Sequence, residues 1–203
     1  MGSAFFISAF ATLFVVIDPI GLVTLFIALT RGMDQDHRQR LARRSVVIAF
    51  CILLAFGLLG HALLGFVGIS LSAFRIAGGI LLFLTALDML FERRTQRREG
   101  AQAEPAHDPS VFPLATPLIA GPGAIATMIL LMGQAGDWPT RIGVLALMAG
   151  MMAATFVFFL SATRVERMLG RTGTIVVTRL LGMLLAALSV QFVIDGVKGA
   201  GLL

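Results

Sequence analysis

Phe14-Val15-Val16-Ile17-Asp18-Pro19-Ile20-Gly21 is the stretch on which the fold turns. It sits in the middle of residues 5–29, an apolar run whose only charge is Asp18. Wound as a helix at ~1.5 Å per residue, such a run reaches ~37 Å, more than the ~30 Å of a bilayer's hydrocarbon core. A carboxylate halfway along it is costly in lipid and needs water or a partner. Pro19 has no N–H to donate, and its ring clashes with the carbonyl one turn back. Gly21 permits backbone torsions that other residues resist. The spacing predicts a helix broken at Asp18-Pro19. The second half would then present amides with partial positive charge, able to bind an anionic group. Asp18 has two readings, as the cap of that half-helix or as a functional charge, and both stand at this stage.

Outward from this run the chain is equally apolar. Of 203 residues, 58% are hydrophobic and only 13% charged, with a mean hydropathy of +0.94. Globular domains carry about 25% charged residues, so lipid is the solvent this composition requires. Five more apolar runs follow, at residues 45–66, 75–91, 111–132, 142–163 and 175–197. Their pattern is not the alternation of a membrane barrel, which leaves helices to satisfy the backbone. The N-terminus lacks the basic region of a cleaved leader, so the first run is expected to be retained. Trp138 beside Pro139 fits an interfacial anchor. The single cysteine, Cys51, reads as a small buried side chain, and His61 as a packing residue.

The net charge of +5 does not point to nucleic acid, because the basic residues flank apolar runs. Thirteen of the 16 fall in or beside the stretches after the first, third and fifth runs. These are Arg31, Arg38, Arg40, Arg43, Arg44, Arg93, Arg94, Arg97, Arg98, Arg164, Arg167, Arg171 and Arg179. Arg75, Arg141 and Lys198 fall on the other side. The bias places the odd loops in the cytoplasm and both termini outside.

The two halves of the chain also resemble each other. Arg75-Ile76-Ala77-Gly78 and Arg179-Leu180-Leu181-Gly182 are 104 residues apart, and Pro19 and Pro122 are 103 apart. A repeat of three helices must enter the membrane from the opposite side the second time, the inverted plan of many secondary transporters. The expected fold is therefore all-α: six transmembrane helices as two inverted three-helix repeats, with broken first and fourth helices. Residues 1–91 form the first repeat, 92–110 a polar cytoplasmic linker, and 111–203 the second repeat. The matching break, Gly121-Pro122-Gly123, follows Pro113 and Pro117, with the hydroxyls of Thr116 and Thr127 nearby. A binding site between the two breaks would use Asp18, Pro19, Ile20, Gly21, Thr116, Gly121, Pro122 and Gly123. Arg75, Arg179 and Gln191 are expected in bracing or gating roles, with snorkelling to headgroups the plainer account of the arginines. Asp88 and Asp195, late in their runs, read as solvated ends.

Three segments carry a family likeness: residues 14–21, then Phe74-Arg75-Ile76-Ala77-Gly78-Gly79-Ile80-Leu81-Leu82-Phe83, and Phe112-Pro113-Leu114-Ala115-Thr116-Pro117-Leu118-Ile119-Ala120-Gly121-Pro122-Gly123-Ala124-Ile125. Together with Arg179-Leu180-Leu181-Gly182 and Val190-Gln191-Phe192, they resemble the MarC (UPF0056) family of bacterial inner-membrane proteins. That resemblance implies six helices and inverted repeats. It also implies likeness to small neutral-amino-acid transporters, grouped more loosely with lysine-exporter-like proteins. Many members place a proline a few residues after the first motif, where this chain has Val23-Thr24.

The resemblance implies a secondary transporter for a zwitterion such as glycine or alanine. The half-helix amides would hold the carboxylate, and Asp18 would pair with the ammonium group or serve as the coupling-proton site. Proton, sodium and simple exchange remain equal alternatives. No cofactor or metal is expected, and the partners are the bilayer and the solute, with self-association through Gly-rich faces left open. An exporter of hydrophobic compounds predicts a wide apolar cavity instead. An intramembrane enzyme is disfavoured, since Asp18 has only Asp88 or Asp195 as a second acid and no nucleophile–base pair appears. A structural or regulatory subunit is the remaining class.

Overall fold

The computed structural model describes residues 2–91 and 109–201, the side chain of Arg171 excepted. Arg93, Arg94, Arg97 and Arg98, and the linker expected at 92–110 up to residue 108, lie outside the described residues. The described chain runs α1 (Ser3–Ile17), α2 (Pro19–Leu29), α3 (Gln35–Val67), α4 (Leu71–Leu90), α5 (Ser110–Ile119, wound in wide turns), α6 (Pro122–Gln134), α7 (Trp138–Leu160) and α8 (Ala162–Gly199). Among the described residues, five stretches are long and apolar enough to cross a membrane, α1 and α2 together forming the first. The pair α5–α6, bent by 54°, makes a sixth if counted as one span.

Caps set the boundaries where the apolar pattern alone could not. The Asp34 carboxylate accepts the His37 amide at 2.7 Å, so α3 begins ten residues before its apolar run and the basic stretch is helical. Ser70 caps α4 through the Ala73 amide at 3.1 Å, which puts Arg75 in the second turn rather than at the start. Asp137 caps α7 by accepting from Thr140, and hydrogen bonds from Thr140 hold its carboxyl below the ordinary range. The second basic stretch also joins a helix, α8, which kinks at Gly170 (φ 62°) before the apolar part.

The first span is the centre of the molecule. Of its most apolar window 61% is buried within the protein, against 22–33% in the other four. Around it, α1 packs on α6, α7 and α8, and α2 on α7, α8 and α5. Helix α3 lies against α5, α6 and α7, and α4 against α6 and, over the largest contact in the fold, α8. The α4–α8 pair is antiparallel and close because glycines line it. A Cβ on Gly79 would lie 2.8 Å from the Ser189 carbonyl oxygen, and one on Gly196 2.6 Å from Ile76. Outward faces carry large apolar side chains such as Leu59, Ile142 and Met183, as lipid requires. Cys51 and His61 are on these exposed surfaces of α3, not in the core as expected, because the buried stripe of α3 is Ala49, Leu53, Gly57, Gly60 and Leu64.

Candidate functional site

The first break forms at Asp18. Its backbone is left-handed (φ 51°, ψ 64°), a conformation that Asp tolerates better than most residues. It ends α1, with its amide donating to the Phe14 carbonyl, and begins α2, with Oδ1 accepting the Gly21 amide at 3.0 Å. The carboxylate is buried, 2% exposed, and packed so close to Gly21 that a Cβ there would collide with it. The Asp-Pro-x-Gly order is thus a self-contained device. Pro19 stops α1, Asp18 reverses the torsion and caps α2, and Gly21 leaves room for the cap.

The second break is built differently. Phe112 and Thr116, each before a proline, adopt extended torsions inside α5, as a following pyrrolidine ring dictates. The wide turns are closed by the Ala120 amide on the Ala115 carbonyl at 2.9 Å and the Thr116 hydroxyl on the Val111 carbonyl at 3.1 Å. Gly121 is extended, and a Cβ on it would lie 2.5 Å from the Pro117 carbonyl oxygen. Glycine is needed for that approach. It also leaves the first turn of α6 with no side-chain cap. The two half-helices therefore differ in one respect: α2 is capped by its own carboxylate, and α6 is not.

A cavity of about 430 Å³ opens at the uncapped end. Gly121, Pro122, Gly123 and Ala124 form one wall, and Pro113 and Pro117 of α5 another. Val16, two residues before the first break, reaches the same space; a Cβ on Gly123 would lie 3.6 Å from Val16 and 2.9 Å from Leu82. The third wall is α4, through Leu81, Leu84, Thr85 and Asp88. The size falls within the range of small-molecule sites. Its chemistry is two-ended, with the positive end of the α6 dipole and the carboxylate of Asp88. One turn deeper on the face of Gly123 and Ala124, the Thr127 hydroxyl is fully buried with no hydrogen-bond partner among the described residues.

The expected residues divide accordingly. Gly121, Pro122 and Gly123 line the cavity. Asp18, Pro19, Ile20 and Gly21 form the adjacent break in the neighbouring span but are not in its lining. Thr116 turns its hydroxyl back to its own segment. Arg75 is half-buried on α4 with no partner for Nε among the described residues, Arg179 is exposed on α8, and Gln191 donates to Asp195 at 2.8 Å. None of these three lines the cavity. Thr85 and Asp88, which the sequence reading left outside the site, line the cavity. The signal was there: Leu81, Leu84, Thr85 and Asp88 follow the i, i+3, i+4, i+7 spacing of one helix face.

Comparison with known proteins fits this architecture. The family model of MarC family integral membrane proteins matches residues 3–201. A UPF0056 membrane protein of Methanocaldococcus jannaschii is 39% identical, covering 98% of this chain and 99% of its own. The UPF0056 membrane protein YvbG of Bacillus subtilis is 35% identical, covering 97% and 95%. The UPF0056 inner membrane protein YhgN of Escherichia coli is 32% identical, covering 95% of each. No solved structure matches. A family match over almost the whole chain, joined to broken membrane spans, leads to one conclusion: the chain belongs to the MarC family of integral membrane proteins.

Proposed function

We propose that this protein is a secondary transporter of small neutral amino acids, of the size of glycine or alanine, working by alternating access without a cofactor. The observation that carries the reading is the uncapped first turn of α6, which faces a cavity holding the Asp88 carboxylate. A zwitterion matches the charge at each end. Its carboxylate would cap α6 as Asp18 caps α2, and its ammonium group would lie against Asp88 and the hydroxyl of Thr85. Asp18, already bonded to Gly21, then holds the shape of the neighbouring break rather than the solute.

Alternating access needs two halves that move against each other, and the packing supports an inverted repeat. Exchanging the halves turns α3 on the fourth span into α7 on the first, and α4 on α6 into α8 on α2; each of these contacts is present. The pairs α3–α7 and α4–α8 map onto themselves. We assign the arginine-rich loops to the cytoplasm, both termini to the opposite side, and the protein to the cytoplasmic membrane. A second reading, export of a hydrophobic solute, is favoured by the apolar rim of Leu81, Leu84 and Phe112.

Counterflow of labelled glycine and alanine into proteoliposomes tests the proposal. Wild type and Asp18→Asn should show saturable exchange, and Asp88→Asn should lose at least tenfold in apparent affinity, since a charged hydrogen bond contributes about 1.5–3 kcal/mol. Exchange competed by leucine but not by glycine moves the assignment to the hydrophobic reading. Folded wild type that exchanges neither overturns transport of amino acids.

A further inference from the structure

A second cavity, of about 600 Å³, lies between the N-terminal part of α3 and the start of α5 at Pro109 and Ser110. His37, Arg40, Arg43 and Arg44 line it, and among the described residues no acidic side chain does. Asp36 borders a neighbouring space of about 290 Å³, which shares Arg40 and Arg43 with the first. His37, Arg40, Leu41, Arg44 and Val47 follow helical spacing and so make one stripe along α3. The stripe changes character along its length. Its basic part lies in the polar start of α3, and Val47 lies in the apolar run. Val47 is 53% exposed.

A cluster of arginines at a membrane boundary, continuing into exposed aliphatic surface, has the two-part chemistry of a phospholipid. Guanidinium forks match phosphate oxygens in geometry as well as charge. Basic pockets between transmembrane helices hold anionic headgroups. We propose that this cavity binds the phosphate of an anionic phospholipid, whose acyl chains run along Val47 into the bilayer. Free phosphate would match the arginines' charge equally, but only a lipid adds acyl chains that fit the exposed Val47.

Native mass spectrometry of the detergent-solubilised full chain, titrated with phosphatidylglycerol, phosphatidylcholine or inorganic phosphate, tests this. The expected result is one tightly retained phosphatidylglycerol, with phosphatidylcholine and inorganic phosphate lost. Arg40→Gln/Arg44→Gln should weaken retention by about 30-fold, from about fivefold for each basic residue at a membrane surface. Arg40→Lys/Arg44→Lys, which keeps the charge, should hold the lipid within about tenfold, and Arg164→Gln/Arg167→Gln should bind as wild type. Retention unchanged in the glutamine variant, equal retention of phosphatidylcholine, or tighter binding of inorganic phosphate than of lipid each overturns the proposal. Loss in both the glutamine and the Arg164 variants, marking mere charge loss, overturns it as well.

Discussion

Asp18 holds a backbone torsion, φ 51°, that the chirality of L-residues disfavours, and the same residue carries the carboxylate that repairs the helix start it creates. Its two parts can be separated by substitution. Asparagine keeps both the tolerance for the left-handed region and an Oδ1 that can accept the Gly21 amide. Alanine keeps neither, and losing a helix cap costs about 1 kcal/mol. In thermal unfolding followed by size exclusion, Asp18→Asn should match wild type and Asp18→Ala should melt earlier. Gly21→Ala should be worse than Asp18→Ala, since its Cβ would occupy the place of the carboxylate. The double variant should recover part of that loss, because the clashing group is gone. An asparagine variant as unstable as alanine would exclude the capping account. Asp-Pro-x-Gly was legible in the sequence because every one of its residues acts on its own backbone. Asp88 was not, because whether a carboxylate near the end of an apolar run meets solvent or a cavity depends on how α5 packs beside it.

Among elements, the antiparallel pair α4–α8 depends on the absence of side chains at its seam. Gly79 faces backbone, the Ser189 carbonyl, so an added side chain there has nowhere to move. Gly79→Leu should force the helices apart at a cost of about 1–3 kcal/mol, the usual penalty for overpacking. Gly150 on α7 meets nothing within 4 Å of where a Cβ would be. Gly150→Ala should leave stability unchanged or raise it by up to about 1 kcal/mol through helix propensity. Equal effects at the two positions would exclude close packing as the reason for the glycines. Sequence patterning located the apolar core of each span, since lipid demands long runs of one character. It missed the polar extensions of α3 and α8, the first begun by a cap at Asp34 and the second running from Ala162 to the kink at Gly170. It expected the fourth helix to be broken at Gly121-Pro122-Gly123 after Pro113 and Pro117, without the wide turns of α5. The extended torsions at Phe112 and Thr116 follow from Pro113 and Pro117, yet the wide hydrogen bonds that close the segment again were not foreseeable from residue type.

At the scale of the whole molecule, the arginine distribution makes a directional claim that the packing alone does not. Helices α3 and α8 both carry a basic cluster in their N-terminal part, so a single orientation places both groups in the same compartment. The expected partition puts Gln35 and Thr163 in the cytoplasm, and Ile69 and Gly136 outside. All four are exposed, and Gly136 has open space where a Cβ would be. Cys51 is the only native cysteine, so a Cys51→Ser background allows single cysteines to be read one at a time. In intact cells or right-side-out vesicles, a membrane-impermeant maleimide should label Ile69→Cys and Gly136→Cys within minutes. Gln35→Cys and Thr163→Cys should label only after permeabilisation. Opposite behaviour at all four sites would invert the protein and leave the fold intact. Labelling that splits within one pair would mean an odd number of crossings between its members. For Ile69 and Gly136 that outcome would make α5–α6 re-entrant rather than spanning, and would remove the inverted repeat on which alternating access rests.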